Sequence, residues 1–231
     1  MPDLSFQIRD VVAMPFAAVP TLAVHLHIQN ATDEQVHSIS LNCQTRIEPL
    51  GRTYSAEEEK RLLDLFGERE RWARTMQPMP WNISVLKVPA FAGYIDLDLP
   101  LPCSFDFDVA ATKYFYGLGE GSIKASILFS GTAFYENETG SLQVAQVPWD
   151  REASFRVPVA TWQAAVDAHY PNSAWLRLSR ETFDRLFLYK LTHATPSWDR
   201  LIEHLLDLAH AGESRRQHML EPLPAANGGR S

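Results

Sequence analysis

The feature that most constrains this chain is a strict alternation of apolar and polar side chains between Ile95 and Val109. The apolar positions are Ile95, Leu97, Leu99, Leu101, Cys103, Phe105, Phe107 and Val109. A period of two is typical of an extended chain with one face in a core and the other in water. Because Pro100 and Pro102 cannot donate to a sheet ladder, we expect two strands or one bent strand here.

Other segments of the first two thirds share this period. Residues 22–28 and 39–47 alternate in the same way, and residues 123–134 and 142–147 have the form of a hairpin around a turn at 137–140. Short strands that each have one apolar face predict an antiparallel β-sandwich, Ig-like or similar, over residues 1–159.

Residues 55–75 interrupt the strand pattern and predict an inserted helix. Ser55 and Glu58 have the spacing of a capping box, in which each side chain satisfies a backbone amide of the other residue. Apolar side chains at helical spacing follow, at Leu62, Leu63 and Phe66. Gly67 is expected to interrupt or end this helix.

The last third of the chain changes to helical spacing. We expect a C-terminal helical cap over residues 160–211, packed on the same domain, with a helix start at Ser179 and a helix end at Gly212. Residues 212–231 are polar and contain prolines and glycines, which predicts a disordered tail. The predicted fold class is therefore α+β.

Composition and charge limit the partners that such a chain can have. The net charge of −7 argues against nucleic acid and against an anionic membrane surface, since both attract basic proteins. No apolar run approaches the roughly 20 residues of a membrane span, and the N-terminus lacks the pattern of a signal peptide. We therefore expect a cytoplasmic protein.

The two cysteines, Cys43 and Cys103, both fall on the apolar face of a predicted strand. Two thiols cannot complete a typical structural zinc site, and a cytoplasmic compartment keeps thiols reduced. We expect both to be free, buried and inert. The alternative is a redox pair or a soft-metal contact, which requires the two residues to be adjacent.

Three histidines are candidate metal ligands. His25 and His27 lie two apart on one strand, so they share its polar face and can bind one metal ion. A third ligand is needed, and His37 is the nearest candidate. The alternative is that all three are solvated surface residues.

Four aspartates form an acidic stripe on the polar face of the opening segment, at Asp96, Asp98, Asp106 and Asp108. Carboxylates suit calcium or acid–base chemistry, but the glycine turns of calcium loops are absent here. We expect either a solvated outer face or a docking surface for a basic partner.

Two aromatic loops are candidate anchors for a protein partner. In one, Trp149 is followed by Asp150 and Arg151, and tryptophan and arginine are frequent interface anchors. The alternative there is a tryptophan packed between sheet and helices beside a local Asp–Arg pair. In the other loop, Met76 and Trp81 are expected either to fold onto the core or to be exposed for binding.

No local motif predicts catalysis or a cofactor. Residues 117–121 contain three glycines but lack the lysine and the following helix of a phosphate loop, so they predict a turn. No nucleophile elbow and no His-Glu-x-x-His motif occurs. A hydrolase whose site is assembled from distant residues remains a third hypothesis, since most catalytic triads are not local.

Four stretches resemble a bacterial family with no assigned activity whose genes tend to lie beside those of oxygen-tolerant [NiFe] uptake hydrogenases. They are LNCQTRIEP at 41–49, RLLDLFG at 61–67, VPWDREAS at 147–154 and PNSAWLRL at 171–178. The resemblance covers about residues 3–208. It implies an accessory role in maturing, protecting or wiring such an enzyme, and it supplies no catalytic residue.

The function expected from these observations is that of a non-enzymatic accessory or scaffold protein that binds another protein. The resemblance implies a hydrogenase subunit or an accessory factor as the partner. The alternative is a β-sandwich that binds a small ligand or a metal.

Overall fold

The computed structural model describes residues 1–104, 109–137, 139–173 and 175–220, with side chains to residue 213. The chain divides into two compact units, Met1–Arg177 and the segment that begins at Leu178. The first unit contains two antiparallel sheets and several helices, which confirms the predicted α+β class.

The described residues form eight strands and seven α-helices. In chain order the strands are β1 (Leu4–Ala13), β2 (Thr21–Asn30), β3 (Val36–Glu48), β4 (Met79–Val88), β5 (Tyr94–Pro102), β6 (Ser122–Glu136), β7 (Leu142–Val147) and β8 (Glu152–Pro158). The helices are α1 (Ala56–Arg61), α2 (Leu63–Phe66), α3 (Trp72–Thr75), α4 (Ala110–Gly117), α5 (Val159–Asp167), α6 (Arg180–Thr192) and α7 (Trp198–Leu220). A 3-10 turn, Arg69–Arg71, precedes α3.

The first sheet has the strand order β1-β2-β5, so β2 lies in the centre. Leu22 pairs with Leu101 and Val24 with Leu99, and all four side chains are buried. The apolar face of the alternating segment that begins at Ile95 therefore lies in the core up to the end of β5, as predicted.

The alternating segment does not continue as strand to Val109. β5 ends at Pro102, Val109 is the N-cap of α4, and residues 105–108, with two of the predicted stripe aspartates, lie outside the described residues. The prediction of two strands or one bent strand reaching Val109 is therefore wrong at Val109, where a helix begins. The buried residues of this helix have helical spacing: Ala111, Thr112, Tyr114 and Phe115.

The second sheet has the order β4-β3-β6, and both β7 and β8 pair with the far side of β6. β7 pairs with residues 131–136 of β6 and β8 with residues 122–128, so the two short strands lie end to end. The predicted hairpin between β6 and β7 is confirmed. Gly131 lets β3 and β6 approach closely, since a Cβ there would lie 2.1 Å from the carbonyl oxygen of Ser40.

The inserted segment is helical but broken. The capping box is confirmed, since the Glu58 amide donates to Ser55 Oγ at 3.2 Å and the Ser55 amide donates to Glu58 Oε2 at 2.9 Å. Gly67, with a φ of 70°, ends α2. The helix predicted over 55–75 is interrupted at Gly67, as expected, but it is also broken at Leu62, which was not predicted. The turns allow Leu62, Phe66 and Trp72 to be buried.

The C-terminal helices divide between the two units. α5 belongs to the first unit, where Val159 and Trp162 are buried. α6 begins at the predicted cap, since Ser179 Oγ accepts from the Thr182 amide at 3.2 Å. Packing of α6 and α7 on the sandwich stays a prediction.

α7 continues through Gly212 to Leu220. The predicted helix end at Gly212, and with it the start of a disordered tail at residue 212, is therefore wrong. A glycine inside a helix costs only about 1 kcal/mol, which the helix-forming residues around it offset. Residues 221–231 lie outside the described residues. No helix of the described residues is long and apolar enough to cross a membrane.

Candidate functional site

The outer face of the first sheet combines two of the predicted candidate sets. The register of β2 and β5 places His25 opposite Asp98 and His27 opposite Asp96. His25 Nδ1 lies 2.5 Å from an Asp98 carboxylate oxygen, and His27 Nδ1 lies 2.7 Å from an Asp96 oxygen. Each pair is a cross-strand hydrogen bond, which stabilises the pairing of the two strands. His27 is buried and His25 is half-buried, so the alternative of solvated surface histidines is wrong for His27.

These His–Asp pairs share one feature with metal sites, but they do not provide enough ligands to hold a metal ion. Metal-bound histidines usually donate their second ring N–H to a carboxylate, as Asp96 and Asp98 permit here. His37, however, is exposed on β3 in the other sheet and does not join His25 and His27. Within the described residues there is no group of three or more His, Cys, Asp or Glu side chains that could hold a metal.

The loop between β7 and β8 exposes Trp149. Its side chain is 86% exposed, so the alternative in which Trp149 packs between sheet and helices is wrong. Both strands lie along the same side of β6, and the loop joining them follows that side of the sheet. Arg151 pairs with Asp3 at 2.9 Å rather than with Asp150, which is exposed.

The strand before this loop is also apolar on its outside. Leu142 and Val144 of β7 are 58% and 59% exposed. Within the described chain, β7 pairs with β6 on one side and with no strand on the other. We call the side formed by Leu142, Val144 and Trp149 the Trp149 edge. Exposed apolar side chains beside an open strand edge are typical of a surface that binds another chain.

The other aromatic segment is not a surface anchor. Met76 is buried, and Met79 and Trp81 lie in β4 and pack against the core. The Trp81 ring lies 4.9 Å from the Phe115 ring. Of the two alternatives for this segment, folding onto the core is therefore correct.

Trp81 forms part of the wall of a cavity of about 530 Å³ in the first unit. α4 contributes Phe115 and α5 contributes Trp162, and these two rings stack at 4.9 Å with 12° between their planes. The lining also includes six residues with polar side chains: Asn82, Cys103, Ser104, Thr112, Tyr170 and Trp175. Sequence reasoning missed this cavity because it did not predict α4; the spacing of Ala111 and Phe115 was the available signal.

Both cysteines are free and buried, as predicted. Burial raises the pKa of the Cys43 thiol and of the Cys103 thiol to about 12. Cys43 lies in β3, and Cys103 directly follows β5 of the other sheet. The thiols are therefore protonated at neutral pH, and a protonated, buried thiol is a poor nucleophile and a poor metal ligand.

An ion pair that sequence reasoning also missed ties α1 to the loop before β6. Arg52 Nη2 lies 2.6 Å from Glu58 Oε1, which also accepts from the Gly119 amide at 3.1 Å. Burial raises the pKa of Glu58, but hydrogen bonds from Ser55, Gly119 and Arg52 outweigh it and hold that pKa below its usual value. Residues 117–121 thus form a turn held by a carboxylate, between α4 and β6 rather than between two strands.

Comparison with solved structures finds distant matches. The CARDB domain of a Pyrococcus furiosus protein, solved in complex with di-metal ions, is 12% identical with a TM-score of 0.28 and covers 68% of this chain and 92% of that chain. A late embryogenesis abundant (LEA) protein is 10% identical with a TM-score of 0.32, covering 68% of this chain and 72% of that one. A β-glucosidase from Kluyveromyces marxianus is 12% identical with a TM-score of 0.25 over 67% of this chain and 15% of its own.

Scores this low give no information about activity. No curated protein matches the chain. The match that covers nearly the whole chain is to a family: residues 1–214 match the model of a family of unknown function (DUF6084), and the chain belongs to that family.

Proposed function

We propose that this chain is a non-enzymatic accessory protein that binds another protein through the Trp149 edge. The observation that carries the proposal is the exposure of Trp149, 86%, beside an open strand edge. A large aromatic side chain left in water has a free-energy cost that binding removes, and tryptophan is the residue type most enriched in binding hot spots.

The form of the edge favours an extended segment of the partner. β7 offers unpaired backbone groups on its outer side, and Leu142 and Val144 project from the same face two residues apart. A strand of the partner would form hydrogen bonds with these backbone groups. Every second side chain of that strand would pack against Leu142 and Val144. Exposed Asp150 favours a basic residue on the partner.

The partner that we propose is a subunit or a maturation factor of an oxygen-tolerant [NiFe] uptake hydrogenase. This rests on the resemblance of four stretches of the sequence to a family whose genes neighbour those of such enzymes. Two reduced, buried cysteines suit a cytoplasmic step in assembly.

A binding measurement with purified components tests the proposal. The full chain and its Trp149→Ala variant are titrated against a purified oxygen-tolerant [NiFe] hydrogenase and its maturation factors. Loss of a hot-spot tryptophan costs about 2 kcal/mol or more, so we expect binding to weaken by about 30-fold. The matched control is Phe16→Ala, because Phe16 is 99% exposed but lies in the β1–β2 loop.

Two results would contradict the proposal. One is the absence of binding to any of these components. The other is equal weakening by Phe16→Ala, which would mean that general surface hydrophobicity, and not the Trp149 edge, is responsible.

A further inference from the structure

We propose that the cavity between β4, α4 and α5 binds a small, planar, uncharged aromatic molecule that carries hydrogen-bond acceptors, because aromatic side chains line it and three of its lining residues have side-chain donors without a hydrogen-bond partner among the described residues. This goes beyond the docking of a protein at the Trp149 edge, and either proposal can fail without the other.

The size and walls of the cavity suit such a molecule. Its volume of about 530 Å³ falls within the range of roughly 300–1,000 Å³ that is common for small-molecule sites. Trp81, Phe115 and Trp162 are among the residues that line it, and flat aromatic molecules pack well against aromatic side chains. These three side chains come from β4, α4 and α5, which fixes the shape of the cavity.

The hydrogen-bond donors at the wall point to acceptors on the ligand. Buried tryptophans usually donate their indole N–H, as Trp72 does to the carbonyl oxygen of Gly67 at 2.9 Å. Among the described residues, the indole N–H groups of Trp81 and Trp162 and the side-chain amide of Asn82 take part in no hydrogen bond. A ligand carbonyl or ring nitrogen within reach of one of these groups would accept its hydrogen bond.

The other polar groups at the wall indicate an uncharged ligand. No charged side chain of the described residues lines the cavity. The Thr112 hydroxyl donates to the carbonyl oxygen of Ser104 at 2.9 Å, and the Cys103 thiol lies 3.6 Å from the carbonyl oxygen of Leu101. A charged ligand would lose its hydration without gaining a counter-charge, which is costly in an apolar site.

A pair of matched probes tests the chemistry. 9-Fluorenone and fluorene share one planar tricyclic skeleton, and only the ketone has an acceptor. We measure binding of each probe to the full chain by equilibrium dialysis. We expect one fluorenone per chain and roughly fivefold weaker binding of fluorene, since a hydrogen bond contributes about 1 kcal/mol.

Conservative variants assign the binding to the named donors. Trp81→Phe keeps an aromatic ring but removes the indole N–H, and Asn82→Ala removes the amide. Each variant should weaken fluorenone binding several-fold more than it weakens fluorene binding. Loss of both probes in equal measure would indicate a change of packing instead and would overturn the assignment of the donors.

A blocking variant assigns the binding to the cavity. Val109 lines the cavity and is 38% exposed, so Val109→Phe should obstruct it without disturbing the core. Val12 is 37% exposed on β1 and lines no part of it, so Val12→Phe is the matched control. Fluorenone binding that survives Val109→Phe, or the absence of saturable binding to the unmodified chain, would overturn the proposal.

Discussion

Replacement of Glu58 by glutamine tests how the inserted segment is held to the sheet. The side chains of Arg52 and Glu58 are only 15% and 9% exposed, so their charges pair with each other away from most of the solvent. In the variant, Arg52 still donates hydrogen bonds to the carbonyl oxygens of Glu120 and Ser122, at 2.7 and 3.1 Å, but it loses its counter-charge.

The expected cost follows from these contacts. Breaking a buried ion pair by removing one partner costs about 3–5 kcal/mol. Because Arg52 retains two carbonyl acceptors and glutamine can still accept from a backbone amide, we expect the low end, about 3 kcal/mol. For a unit of this size that corresponds to a decrease in Tm of roughly 6–12 °C.

Urea denaturation followed by tryptophan fluorescence gives the free energy of unfolding for both proteins. The control is Glu57→Gln, since Glu57 is exposed and pairs only with Arg61 across one helical turn, a contact worth about 0.3–0.5 kcal/mol. A loss below 1 kcal/mol for Glu58→Gln, or equal losses for the two variants, would refute the reasoning.

The pH dependence provides an independent check of the same pair. The pKa of Glu58 is lower in the folded chain than in the unfolded chain. Its contribution to stability is therefore complete above the unfolded value of about 4.3 and is lost as the pH falls through the folded value. The difference in unfolding free energy between the unmodified chain and Glu58→Gln should shrink below about pH 4.3, and a constant difference down to pH 3 would contradict this assignment.

Three further predictions concern the core and the histidine face. Gly131→Ala should lower the free energy of unfolding by about 3 kcal/mol or more, because the new Cβ would collide with the carbonyl oxygen of Ser40. Gly140 also has a positive φ but has open space around it, so Gly140→Ala should cost only about 1 kcal/mol in the same urea assay. Cys43 and Cys103 should react with a thiol reagent slowly in the native chain and rapidly in denaturant, and Cys103→Ala should cost about 1–2 kcal/mol; fast native labelling would contradict their burial. Protein purified without a histidine tag should contain well under one equivalent of zinc, nickel or copper by elemental analysis, because His25 and His27 have no third ligand among the described residues. One full equivalent of metal that is lost in His27→Ala would contradict this.

The strands could be predicted from the sequence because their alternation follows directly from a one-sided sheet. Leu97, Leu99 and Leu101 alternate with exposed residues, and no other regular structure satisfies that pattern. The capping box at Ser55 could be predicted for a similar reason, since its hydrogen bonds lie within one turn.

The sites were harder to predict because they depend on pairing between distant residues. The sequence placed His25 and Asp98 on polar faces, but only the register of β2 and β5 brings them within 2.5 Å of each other. The ion pair of Arg52 with Glu58 and the cavity wall at Trp162 depend in the same way on how loops and helices fold back onto the sheet. The exposure of Trp149 follows from β7 and β8 lying end to end, which local composition does not encode.

Hydrogen–deuterium exchange of the chain, alone and mixed with a purified oxygen-tolerant [NiFe] hydrogenase and its maturation factors, tests the central claim most directly. If a partner strand docks on the Trp149 edge, backbone amides of residues 142–152 should become protected, while amides of β4, the outer strand on the opposite side of the same sheet, keep their exchange rates. Protection confined to other segments, or no change in exchange at any amide of β7 or the loop after it, would contradict the account.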